Sequence, residues 1–311
     1  MDLLAFVLIC ARILLLLAGL LLPGAMLLRA LRLPPSLGLS FVGSAVLLYT
    51  TGLALDLAGI PLSLAPLSAV LAVVTLALAW WGRDALVAPS DAGPALAPFT
   101  RLGTLTPLFL LFWSVIAFLL IREPLAGPDT QFRWAFLPEQ WLRLGNLDFY
   151  PPVSAHDFLS YFWAESIPPG VASLHAWAFA CGESFAPAWT TPVTALEFLA
   201  VHDLAWRTGF HFGGNRAARA SALLVAACPL LAWSLRLAQE TGLTAVATLA
   251  LAFTLAPFVS PAPGQCHVLR DTPQAAPASA SWAAAAGLAG ALGALTREYG
   301  LVFPFLGIIV L

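Results

Sequence analysis

The residues of this chain that could do chemistry are few, and they gather after an apolar run. "LTPLFLLFWSVIAFLLI" leads straight into "REPLAGPDTQFRWAFLPEQ", which carries Arg122, Glu123, Asp129, Arg133 and Glu139. Asp129 follows Gly127-Pro128 and has two readings. A carboxylate there can cap a starting helix. Held near a membrane boundary, it can instead act as a general base that deprotonates an acceptor hydroxyl. Arg133, one helical turn later, can pair with it or hold a phosphate. Glu123 and Glu139 read as solvated or headgroup-level residues. Further along, His156-Asp157 could contact a sugar or a divalent ion, and His175 could approach an acceptor. His202-Asp203 is a second His-Asp pair, and neither pair has metal-ligand spacing, so no metal site is assigned. Glu197 lies in the apolar "TALEFLAVHD". An acid inside a span is a functional candidate, unless it pairs with His202 or Arg207 on the same helix. Arg236, Glu240 and Arg297 each border a later apolar run.

The elements that position these residues follow from composition. The chain has 311 residues, of which 60% are hydrophobic and 10% charged. A soluble domain would be roughly 45–50% apolar and about 25% charged. Mean hydropathy is +0.88. Apolar runs repeatedly reach the ~20 residues that cross about 30 Å of hydrocarbon. The expectation is an all-α, polytopic transmembrane protein with spans near 3–22, 38–59, 64–81, 104–121, 187–206, 217–234, 241–258 and 282–296. The net charge of −2 points away from a nucleic-acid partner. All fourteen basic residues are arginine, so a lysine Schiff base or P-loop lysine is excluded. Cys10, Cys181, Cys228 and Cys266 are scattered and read as small buried hydrophobes. The N-terminus lacks a basic region and cleavage site, and reads as a retained span.

Arginine placement gives an expected topology, because basic residues favour cytoplasmic loops. Arg29, Arg32, Arg83 and Arg101 put the N-terminus outside and the loop 122–167 on the extracytoplasmic side. Arg207, Arg216 and Arg219 put the next loop inside. Only one crossing then fits between 167 and 207, so 168–182 should be re-entrant or lie along the interface. Continued, this count collects Asp129, Arg133, Asp157, Glu165, Arg236, Glu240, Arg297 and Glu298 at one face. Within 130–144, apolar spacing suggests two short amphipathic interfacial helices broken around Pro138. The linker 260–281 reads as solvated. Gly287, Gly290 and Gly293 read as a close-packing stripe.

The order of these features resembles the GT-C superfamily of integral-membrane glycosyltransferases. The resembling features are the apolar helix, the loop opening with Asp129 and Arg133, "LPEQWLRLGNLDFYPP", "PPGVASLHAWAFACG", "NRAARASALLVAACPLLAWSLRLAQET" and "GLAGALGALTREYGLVFP". Bacterial members similar to protein O-mannosyltransferases and lipid A aminoarabinose transferases look closest. The resemblance covers residues 101–311 as a GT-C-like module. Residues 1–100 form a three-span N-terminal extension. The chain stops inside the apolar "FPFLGIIVL", so the module reads as incomplete at its C-terminus. Thr130 stands where many members carry a second acidic residue. The resemblance implies a sugar donor on a polyprenyl phosphate and transfer to an outer-face glycan, lipid or protein in the cytoplasmic (inner) membrane. Asp129 matches the catalytic aspartate and Glu240 a second acidic position. Arg133, Arg236 and Arg297 would bind phosphate, with His156, Asp157 and His175 near substrate. No cofactor is assigned beyond a divalent ion as an option. Two other classes compete: a transporter or flippase of lipid-linked saccharide, and a non-catalytic membrane component.

Overall fold

Helices make up all the regular structure among the described residues of the computed structural model, which are 3–85, 106–125, 130–147, 168–259, 275–296 and 302. The helices are α1 (Leu3–Ala30), α2 (Leu37–Leu57), α3 (Leu64–Trp81), α4 (Thr106–Arg122), α5 (Phe136–Leu144), α6 (Gly170–Gly182), α7 (Thr191–Ala226), α8 (Pro229–Arg236), α9 (Glu240–Val259) and α10 (Ala275–Thr296). A π-helical turn, Thr130–Ala135, precedes α5, and a 3-10 turn, Pro187–Thr190, precedes α7. By length and composition, α1, α2, α3 and α9 can each cross a membrane, and α7 with α8 meets the same test as a bent pair.

One core joins the first helices to the rest, running from Leu16 of α1 to Leu292 of α10. Its centre is α2, whose apolar window is 67% buried against 11% for α3. Close packing of α1 on α2 needs Gly24, because a Cβ there would lie 1.8 Å from the Ser40 carbonyl oxygen. The α1–α2 connection is fixed by a buried polar knot. Asp203 of α7 accepts from the Ser36 hydroxyl (2.8 Å), the Gly38 amide (3.0 Å) and Arg207 Nε (2.8 Å). Arg207 is thus committed to Asp203 rather than to Glu197. Fully desolvated charges persist only with such partners.

The span expected at 187–206 continues to a turn at Gly213-Gly214, where Gly214 has φ 62 and ψ −156. The chain folds back there. A Cβ on Gly209 would sit 2.4 Å from Ser221 Oγ, although in a straight helix these residues would be about 18 Å apart. Phe109 of α4, Trp206, Ala218 and Ala222 close the hairpin in a small apolar cluster.

Other expectations need correction. The span expected at 217–234 is not continuous. It bends by 62° between α7 and α8, where Pro229 has no amide to donate. Pro138 does not break the interfacial helix. It sits in the first turn of α5, where a missing N–H is harmless, and the irregularity lies before it in the π-helical turn. The first span runs eight residues past 22, to Ala30, and ends with Arg32 at φ 57. Helix α10 starts inside the expected linker, at Ala275. Of the expected glycine stripe, Gly290 and Gly293 are buried with Ala285, Ala289 and Leu292 on the packed face of α10, and only Gly287 faces open space.

Segment 168–182 does not cross the bundle. Gly170 packs against the Leu295 backbone at the end of α10, and Gly182 accepts from Arg12 of α1 (2.8 Å). Helix α6 therefore passes from α10 to α1 across α2. Thr191, where the chain next turns, bonds the Leu120 carbonyl at the end of α4.

Candidate functional site

Four chain segments meet at one end of the bundle: the end of α4, the π-helical turn, the α8–α9 turn and the end of α10. This is the site end of the bundle. The Gly213 hairpin lies at the opposite end. Glu123 and Arg236, far apart in sequence, form an ion pair that joins the end of α4 to the end of α8. Glu123 is therefore engaged rather than merely solvated. Glu139, by contrast, makes a local pair with Arg143 at 2.7 Å.

Thr130 fastens the π-helical turn to the α8–α9 turn. Its hydroxyl donates to the Leu237 carbonyl (2.8 Å) and accepts from Gln239 Nε2 (2.9 Å). Thr244, one turn into α9, donates to the Glu240 carbonyl (2.7 Å) and approaches Thr296 Oγ1 at 3.3 Å. The Thr296 hydroxyl itself donates to the Gly293 carbonyl (2.7 Å). These hydroxyls hold the first residue of α9, Glu240, beside the last residue of α10.

Arg236 lies largely buried, with its guanidinium 5.5 Å from the centre of the Trp233 ring. One of its terminal nitrogens serves Glu123, while its buried Nε has no partner. A guanidinium with a free N–H in a half-desolvated setting is suited to an anionic oxygen.

His175 is buried in α6 and tied down. Its Nδ1 lies 2.9 Å from the Trp134 carbonyl. A carbonyl only accepts, so Nδ1 carries the proton and donates. Burial lowers its pKa to about 4, and the Trp134 carbonyl opposes that shift. His175 thus holds the π-helical turn against α6 instead of standing open to an acceptor.

Of the residues singled out from sequence, Arg236 and Glu240 share the α8–α9 turn, and Arg133 lies in the π-helical turn fastened to it. Asp129, His156, Asp157 and Arg297 lie outside the described residues. Their sequence neighbours Thr130 and Thr296 are placed at the site end. Thr130, Gln239, Thr244 and Thr296 were not legible as site residues. Neutral hydroxyls and amides carry no sequence signal until a fold brings them together. Among the described residues, no group of three or more His, Cys, Asp or Glu side chains is placed to hold a metal ion. No family model, curated protein or solved structure matches this chain.

Proposed function

We propose that this chain is a glycosyltransferase that moves a sugar from a polyprenyl-phosphate donor to an acceptor at the extracytoplasmic face. One observation supports this best: a largely buried arginine with an uncommitted N–H sits at the end of an apolar helical bundle, beside a carboxylate-bearing helix start. A lipid-borne phosphate would reach that place with its chain still in hydrocarbon.

The chemistry asks for two functions. The acceptor hydroxyl must lose its proton as its oxygen attacks the anomeric carbon, and Asp129 is the general base for that step. The bond from the sugar to the phosphate oxygen breaks, and its electron pair leaves with the phosphate. Charge then gathers on the leaving group, where Arg236, with Arg133 and Arg297 from the flanking segments, supplies cationic donors. Glu240 is the second carboxylate of the site.

The test is transfer of a labelled sugar from polyprenyl phosphate by the purified chain in lipid bilayers. Asp129→Asn is expected to lower the rate by roughly 10²–10⁴-fold. Full retention of transfer in that variant would remove Asp129 from the mechanism.

A further inference from the structure

Glu197 is a side chain that the fold leaves without a task. It lies in the first arm of α7 and is 2% exposed, and its Oε2 is buried without a partner. The neighbouring ion pairs go to other acids: Arg207 pairs with Asp203 and Arg236 with Glu123. His202 Nδ1 donates to the Phe198 carbonyl at 2.7 Å, while its buried Nε2 has no partner.

The carboxyl group points at the start of α9. A Cβ on Gly242, the third residue of that helix, would lie 3.1 Å from Glu197 Oε2. Glycine at this position lets the carboxyl group reach the first turn of α9, which Glu240 begins. Leu235 of α8 covers the same glycine, with its Cδ2 also 3.1 Å from that Cβ position. A buried polar group without a partner is costly, so a purely structural residue here would be apolar.

The cover over Glu197 is short and locally strained. Helix α8 has eight residues, bends 62° from α7, is tied to α4 through the exposed carboxylate of Glu123, and leads into a turn whose Leu237 carbonyl accepts from Thr130. Ala238, in the turn that follows, has φ 50, a left-handed conformation that L side chains disfavour. Strain of this kind gathers where a segment moves.

We propose that Glu197 is a sugar-binding residue of this site, its carboxyl oxygen accepting a hydroxyl hydrogen of the donor once α8 moves off Gly242. This rests on the glycosyltransferase reading. It names a residue that reads the sugar rather than the phosphate.

The test uses dicyclohexylcarbodiimide, which partitions into bilayers and condenses with carboxyl groups there. The full chain in nanodiscs is labelled alone, with polyprenyl phosphate, and with polyprenyl-phosphate hexose, and Glu197 is read by peptide mass spectrometry. Labelling is expected at Glu197, slowed about tenfold by the hexose lipid at ten times its Kd and unchanged by the bare lipid. Gly242→Ala, which pushes a methyl group toward Oε2, is expected to weaken hexose-lipid binding and leave bare-lipid binding unchanged. An unlabelled Glu197, or labelling slowed equally by both lipids or by neither, overturns the inference. Sugar transfer by the wild type is measured alongside. Transfer without protection of Glu197 sinks this inference alone, whereas protection without transfer sinks the glycosyltransferase reading and leaves Glu197 as a sugar-binding group.

Discussion

His175 illustrates how one residue can shape a site without touching substrate. Its proton on Nδ1 fixes the Trp134 carbonyl, and so the π-helical turn that carries Arg133 and Thr130. The folded-state pKa of about 4 lies below the ordinary 6.5. Between those values the unfolded chain binds more protons than the folded one. Stability therefore rises with pH across that window, is complete above pH 6.5, and is lost as pH falls toward 4. His175→Asn places a non-titrating amide donor near the Nδ1 position and is expected to flatten this dependence. His175→Leu removes the bond and should lower stability by about 1 kcal/mol at neutral pH. Thermal unfolding in detergent micelles between pH 4 and 7 checks both. An unchanged acid slope in His175→Asn would assign the slope to other groups.

At the scale of elements, the Gly213-Gly214 hairpin sets where α7 reverses, and two glycines serve it for different reasons. At Gly214 a Cβ would meet nothing within 4 Å, so the constraint is the positive φ alone. Gly214→Ala should therefore cost on the order of 1–3 kcal/mol through the backbone. At Gly209 the added Cβ would meet Ser221 Oγ at 2.4 Å and the Ala217 carbonyl oxygen at 2.7 Å. Gly209→Ala should destabilise through crowding of the two arms, by about 1–3 kcal/mol. Ser221→Ala separates the two causes: it should restore part of the Gly209→Ala loss and none of the Gly214→Ala loss. Equal rescue of both variants in unfolding measurements would contradict this account.

Much of this level was readable in advance. Long apolar runs gave α1, α2, α3 and α9, because hydrocarbon thickness sets a length that composition reveals. The reversal near 207–219 is marked by Arg207, Arg216 and Arg219. The bend at Pro229 was missed because the apolar run continues through it, and hydropathy does not register a missing amide. The Glu123–Arg236 and Arg12–Glu183 pairs were hidden for another reason: their partners are separated by more than a hundred residues. Glu197 was visible as an acid in a span, but its lack of a partner was not. The sequence offered Arg207 on the same helix, and only the fold shows that Asp203 takes it.

At the scale of the whole molecule, the proposal requires the two ends of the bundle to lie on opposite sides of a membrane, with the site end outside. Described arginines favour that orientation. Arg29, Arg32, Arg83, Arg207, Arg216 and Arg219 lie toward the hairpin end, against Arg12, Arg122, Arg133, Arg143 and Arg236 toward the site end. Basic residues near span ends are retained on the cytoplasmic side. Trp80 and Trp81 are exposed at the hairpin end, where Arg83 lies 3.9 Å over the Trp80 ring, a pairing suited to a headgroup boundary. Ser184 follows α6 at the site end, Asn215 follows the hairpin glycines, and both are exposed. In a chain with Cys10, Cys181, Cys228 and Cys266 replaced by alanine, Ser184→Cys should react with a membrane-impermeant maleimide in intact cells. Asn215→Cys should react only after permeabilisation. Labelling of both from the same side would mean that the helices between them do not separate two compartments. The reversed pattern would keep the bundle and its site but move the reaction to the cytoplasmic face, where the donor sugar would have to be presented before any flipping step.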